Sequence, residues 1–196
     1  MSLITVIDHL VDDTRKEVDP DLSSDEFFEM FVSELVTRDF AFDWEDIESG
    51  IVDGENDGQI DAIYVLLDEQ LIREKKDVDL KTVRRNAVIR VIIQQSKNKG
   101  SFEENVLTKY RSSLQDLFEL ENDIKDLSKI FNSSVITQVD LFRHLFLGLQ
   151  GKNPSVVFDI YYASKGDIKK ANARIQNDAE AVADYLKNSS STAKRL

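Results

Sequence analysis

Two short segments constrain the fold more than anything else in the chain. Ile60–Leu67 (IDAIYVLL) and Ala87–Lys97 (AVIRVIIQQSK) are apolar runs rich in β-branched and aromatic residues, with almost no polar alternation. A strand wetted on one face alternates, whereas these runs do not, so both read as strands covered on both faces. Ser155–Ala163 (SVVFDIYYA) is a third strand of the same kind. The segments between and around them carry helical periodicity. The order helix, strands, helices, strand, helix therefore predicts an α/β layered domain with a central mixed sheet flanked by helices. A chain of 196 residues suits one such domain, expected over 1–190, with a loose tail over 191–196.

Ser23–Asp39 (SSDEFFEMFVSELVTRD) is the clearest helix. Ser23 and Glu26 form a capping box, and acids crowd the first turn, where the helix dipole favours them. Phe27, Phe31, Glu34 and Leu35 recur at helical spacing, which puts Glu34 in an apolar stripe. A carboxylate at the edge of such a stripe ordinarily reaches water or an arginine. Further helices are predicted over Ser101–Phe131, from a second capping box (Ser101, Glu104), over Thr137–Leu149, closed by Gly151 and Pro154, and over Ile168–Leu186. Asp43–Ser49 reads as an acidic linker. Asp68–Gln70 reads as a turn into a short partner strand, and 74–86 as a charged loop or a poor helix.

Several function classes drop out. With no cysteine there is no disulfide framework, thiolate zinc site or cysteine nucleophile, which fits a reducing cytoplasm. No apolar run approaches the roughly 20 residues that span a bilayer, and the N-terminus lacks a basic signal-peptide region. No nucleophile elbow, glycine-rich phosphate loop or histidine pair is present. His9 is isolated, and His144 lies in an apolar helix, where packing or a solvent-tipped ring is the ordinary role. The net charge of −12 opposes a general grip on nucleic acid. It is unevenly spread, at −15 over residues 1–60 and +3 over 164–196. A polyanion would meet the later part of the chain more easily. Lys165, Lys169 and Lys170 are available there to phosphate, although a solvated helix face is the commoner explanation.

The stretch DGENDGQIDAIY (53–64) resembles the start of a calcium loop, but the twelfth position is Tyr64 where an EF-hand needs a bidentate oxygen, and a strand follows instead of a helix. Asp53–Gly58 then shapes an acidic turn, and Asp61 stands at the start of a strand. The second strand ends in Gln95-Ser96-Lys97, and Gln95 and Lys97, two apart, project from one face. If the strands are neighbours, Asp61, Gln95 and Lys97 converge, and Glu34 joins them if its helix packs on that face. Such a set offers oxygens to a hard cation, with an amine beside them. On spacing alone, an acidic turn and a polar strand end account for the same residues.

A helix glutamate, then D-G-x-I-D, then a strand ending in Q-x-K is similar to the PD-(D/E)XK nuclease superfamily in its Mrr-like form. More narrowly, NDGQIDAIYV, VIIQQSKNKGSFEENVL, LQDLFEL and FDIYYASKGD resemble the N-terminal domain of AIPR (abortive infection phage resistance) proteins, over roughly residues 24–190. The resemblance implies a restriction-endonuclease-like fold with additional helices, and a Mg²⁺- or Mn²⁺-dependent hydrolase cutting DNA in phage defence. It makes Asp61 the central metal ligand and puts Gln95 at the second motif position. The Ser96 carbonyl becomes a further ligand, Lys97 the catalytic lysine, and Glu34 the helix carboxylate that assists the metal. The alternative is a catalytically inactive nuclease fold serving as a recognition or interaction module. Family members are longer, so the partners to expect are DNA, a second copy, and a C-terminal region of a longer chain, with no membrane. Two departures stand out: Gln59 where a second glycine is common, and the long charged segment 68–87.

Overall fold

The computed structural model describes residues 3–171 and 173–192. Its centre is a four-stranded mixed sheet of β1 (Ala62–Leu67), β2 (Gln70–Leu71), β3 (Val88–Lys97) and β4 (Ser155–Ser164), in the order β2-β1-β3-β4. β1 pairs antiparallel with β2 and β3, and β3 pairs parallel with β4. Asp68 and Glu69 carry φ of 49° and 70°, the left-handed pair that a two-residue hairpin turn requires.

The continuous apolar runs have the double cover they demand. Ile63, Val65, Ile89, Val91 and Ile93 belong to one cluster. Over it lie α4 (Glu104–Phe118), α6 (Ser133–Leu149) and α7 (Ala173–Thr192), which contribute Tyr110, Leu114, Val139, Phe142 and Ile175. Ala62, Tyr64, Leu66 and Ile92 form a second cluster on the opposite face. That side is covered by α2 (Ser24–Thr37) and α3 (Trp44–Gly50), with α1 (Leu3–Val18) packed on α2 through Val11, Phe27 and Phe28. Among the described residues no helix is long and apolar enough to cross a membrane.

The capping box of Ser23 and Glu26 forms as expected. Several boundaries differ from the sequence reading, among them the start of α6, which is capped by Asn132 and begins at Ser133 rather than Thr137. Asp43–Ser49 is not a linker: Asp43 and Asp46 make a reciprocal capping box that starts α3. Gly50 at its end lies against the Tyr64 ring, where a Cβ would stand 2.1 Å from Cε1. Residues 3–18, given no structure by the sequence reading, are helical.

The long helix over 101–131 is two. Glu103, not Ser101, precedes α4 and offers no side-chain cap, and α4 stops at Phe118 before the short α5 (Ile124–Leu127). Arg143, buried in α6, explains the break. Its guanidinium donates to the carbonyls of Leu117, Glu119 and Asn122 at 2.6–2.8 Å, satisfying acceptors that a continuous helix would have used internally. Likewise, the expected helix from Ile168 begins as a 3-10 turn (Ile168–Lys170), and α7 starts at Ala173 and runs to Thr192. Residues 193–196 of the expected tail lie outside the described residues.

Candidate metal centre

The register of β1 on β3 continues one step beyond the strand, with Asp61 N donating to Gln94 O at 2.9 Å, so Asp61 stands opposite Gln95. Both are sealed from solvent, Asp61 at 1% exposure and Gln95 at 0%. Ser96 donates to Asp61 Oδ2 through its backbone N (2.6 Å) and its Oγ (2.7 Å). Gln95 Nε2 lies 3.0–3.1 Å from the two Asp61 oxygens and 2.8 Å from the Ser96 carbonyl. Asp61, Gln95 and Ser96, expected together, are together. Lys97 follows two residues along the same strand face as Gln95, half-buried. Its ammonium makes no hydrogen bond or ion pair with any described residue, yet its charge is felt at Glu29, Asp57 and Asp61.

Glu34 does not join them. α2 covers the opposite face of the sheet, and its N-terminal half reaches the end of β3. Asn98 Nδ2 donates there to Ser24 and Asp25, and Gln94 Nε2 to the Glu29 carbonyl at 3.0 Å. The carboxylate delivered by this helix is Glu29. Glu34 lies five residues on, about 140° further round the helix, and is exposed. The stripe through Phe27, Phe31, Glu34 and Leu35 is not the face on the sheet, since Leu35 is 50% exposed while Ser33 and Thr37 are buried. The signal that could have found Glu29 is the polar row Glu29, Ser33, Thr37 at i, i+4, i+8. Its middle hydroxyl donates to the buried Gln94 Oε1 at 2.9 Å.

Asp53 is the second addition. Ile51 bridges Ala62, and Val52 N donates to Asp61 O at 2.8 Å, which lays the 50s segment beside the start of β1. Glu29, Asp53 and Asp61 thereby offer carboxylate oxygens that all lie within 4.8 Å of one another. Asp57 keeps the turn-shaping role read for it, accepting from Gln59 N at 2.7 Å. Gly58 (φ 72°) turns the chain where a Cβ would press on Phe131 and Ser113. The loop then enters β1 directly, without the flanking helix of an EF-hand.

Electrostatics set this cluster apart. Burial, then the charges of Asp61 and Asp53, push Glu29 up to about 8. Burial pushes Asp61 up to about 6, outweighing the Ser96 hydrogen bonds and Lys97. Burial also raises Asp57. Desolvated carboxylates side by side resist ionisation unless a cation compensates them. A second observation points the same way: Gln95 Oε1 is buried and has no hydrogen-bond partner. Buried polar atoms are nearly always satisfied, and a cation is a partner that would remove this deficit. A donor set made only of oxygens fits Mg²⁺ or Mn²⁺ rather than a thiolate- or imidazole-seeking metal.

The chain matches no protein-family model, and comparisons with curated proteins and with solved structures gave no match either.

Proposed function

We propose that the chain is a divalent-metal-dependent phosphodiesterase, a DNA endonuclease domain of the restriction-endonuclease-like class acting in phage defence. The observation that carries this reading is the convergence, at one end of the sheet, of three close carboxylates, a buried amide oxygen lacking a partner, and an unpaired lysine. Asp61, Glu29 and Asp53, with Gln95 and the Ser96 carbonyl, would hold Mg²⁺ or Mn²⁺. The ion supplies Lewis-acid activation of water and neutralises charge on the phosphate.

The protein's own part is positioning. Ser96 and Gln95 fix the Asp61 carboxylate, and Asn98 fastens the α2 N-terminus so that Glu29 faces it. A cavity of about 100 Å³ beside the cluster is lined by Glu29, Ser96, Lys97 and Asn98. That is room for about three waters or one phosphate group. Lys97 lines this space with a free ammonium, suited to orient an attacking water or to meet charge developing on a phosphate oxygen. Plasmid cleavage with Mg²⁺ or Mn²⁺ is the test. Asp61→Ala and Lys97→Ala should abolish cleavage, while Glu34→Ala should leave it intact. Unchanged cleavage by the first two variants would sink the assignment.

One feature favours a second reading, a non-catalytic module that keeps the nuclease fold. Asp61 Oδ2 already accepts three donors, as a purely structural carboxylate would. Calorimetric titration with Mn²⁺ separates the two, because the structural role needs no Asp61-dependent metal binding.

A further inference from the structure

A larger cavity, of about 330 Å³, opens at the carboxyl ends of the parallel pair β3 and β4. Crevices at that end of parallel strands are where open α/β sheets hold ligands. Two loops tied backbone to backbone build its wall. Lys165 N and Ser164 Oγ both donate to Lys99 O, at 3.0 and 2.8 Å. Gly166 approaches so closely that a Cβ there would stand 3.0 Å from both Gly100 O and Ser101 Cα. Ile4, Phe102 and Ile175 supply an apolar lining.

Two lysines line the cavity and differ in kind. Lys165 is 9% exposed, and its ammonium is committed to Asp8 and lies 5.4 Å from the centre of the Phe28 ring. It fastens α1, and with it Ile4, beside the cavity. Lys170 is exposed, and its ammonium has no hydrogen-bond or ion-pair partner among the described residues. The cavity also adjoins the metal centre. Phe28 and Lys99 line the small cavity there, whereas Lys165 and Gly100 line this one.

We propose that this cavity takes one nucleotide of the strand whose phosphodiester lies at the metal centre, its base on the apolar lining and its phosphate on Lys170. The inference rests on the phosphodiesterase reading given above. Its volume falls at the small end of ligand cavities. An aromatic and aliphatic surface with one free cation matches a flat base joined to an anion. Much of its lining also comes from residues 164–196, which carry a positive balance of +3 in a chain of net charge −12.

The test is fluorescence anisotropy of a short labelled oligodeoxynucleotide, with Ca²⁺ replacing Mg²⁺ to suppress cleavage, beside a Mn²⁺ titration. Lys170→Glu should raise Kd by about tenfold and reduce the log–log salt slope by about one. Ala171→Leu, which narrows the cavity without changing charge, should raise Kd with the slope unchanged. Free thymidine monophosphate should compete with the oligonucleotide on the wild type and fail to compete on Ala171→Leu. Both variants should bind Mn²⁺ as the wild type does. Variants that bind the oligonucleotide like the wild type, or a wild type that binds none saturably, overturn the proposal. If Mn²⁺ binding persists in that case, the cavity alone has been misread. If the wild type binds no Mn²⁺ either, the phosphodiesterase reading has failed with it.

Discussion

Strand β1 is bracketed by two aspartates with opposite fates. Asp61, just before it, is sealed in the protein, and burial drives its pKa up to about 6 against the pull of neutral hydrogen bonds from Ser96. Asp68, just after it, lies partly in water, and its pKa is lowered, first by the Arg84 guanidinium and then by the Val88 amide. Each carboxylate accepts a backbone N–H from β3, at 2.6 Å from Ser96 and 2.8 Å from Val88. The difference is the cation. Arg84 Nε stands 2.9 Å from Asp68, whereas no described cation forms an ion pair with Asp61, and Glu29 and Asp53 add like charge beside it. A protein that pairs one aspartate and crowds the other with acids has left the second a place for a cation from solution.

The largest effect that can break this contrast is on metal affinity. Asp61→Asn should weaken Mn²⁺ binding by more than about 100-fold, beyond the 10–100-fold typical of supporting partners, while Asp68→Asn changes nothing. Isothermal calorimetry reads both, and equal affinities would erase the distinction between the two ends. Gln95→Leu comes next. It removes the orphaned oxygen and the Nε2 that orients Asp61, and should cost about 10–100-fold in Mn²⁺ affinity. Unchanged affinity would take Gln95 out of the ligand set.

Stability without metal should respond to pH with opposite signs at the two ends. A carboxylate whose pKa is higher folded than unfolded holds its proton more tightly in the folded state. Its contribution is fully present below the unfolded value and lost as pH rises through the folded one. For Glu29 that window runs from 4.5 to about 8, and for Asp61 from 3.8 to about 6. Asp68 behaves conversely, stabilising above 3.8 and losing its contribution as pH falls through its lowered value. Urea melts without metal should therefore show stability declining from about pH 5 to pH 8. Glu29→Gln should recover about 1 kcal/mol at the alkaline end, after discounting for solvent that reaches this half-buried group. Saturating Mn²⁺ should flatten the wild-type slope, and a slope indifferent to Mn²⁺ would place the ion elsewhere.

The sheet was legible because its evidence is local: uninterrupted β-branched runs have few other uses, and the turn at Asp68 has its own chemistry. Asp61 and Gln95 were legible because strand pairing alone brings them together, whereas Ser96 entered only through the family resemblance, as a carbonyl and not as the donor to Asp61 that it is. Glu29 was not, because its place depends on which face of α2 meets the sheet. Phe27, Phe31 and Leu35 pointed to a face that the fold leaves half open. Asp53 was hidden for a similar reason, since the bridge of Ile51 to Ala62 that carries it to Asp61 is not written in its acidic neighbours. The break after Phe118 was beyond local reading altogether. It is imposed by Arg143, 24 to 26 residues away from the carbonyls of Glu119 and Leu117 that it holds.

The smallest expected effect lies at the paired end. Arg84→Ala removes an exposed partner of Asp68 but leaves the Asp68 Oδ1 bond from Val88 N, which ties the hairpin turn to β3. Exposed pairs are weak and screened, so the melting temperature should fall by less than Glu29→Gln raises it at pH 8, and less again in high salt. The deficit should vanish as pH drops below the Asp68 pKa, because a protonated Asp68 has nothing to lose with Arg84. Asp68→Asn should abolish the remaining sensitivity to Arg84, which a double-mutant cycle of melting temperatures would read. Mn²⁺ affinity is the decisive control. β1 is six residues long and fully buried between the two aspartates, so a change at Asp68 can reach Asp61 only by shifting the strand itself. A loss of Mn²⁺ binding in Arg84→Ala would mean that β1 transmits such a shift, and that its two ends form one device.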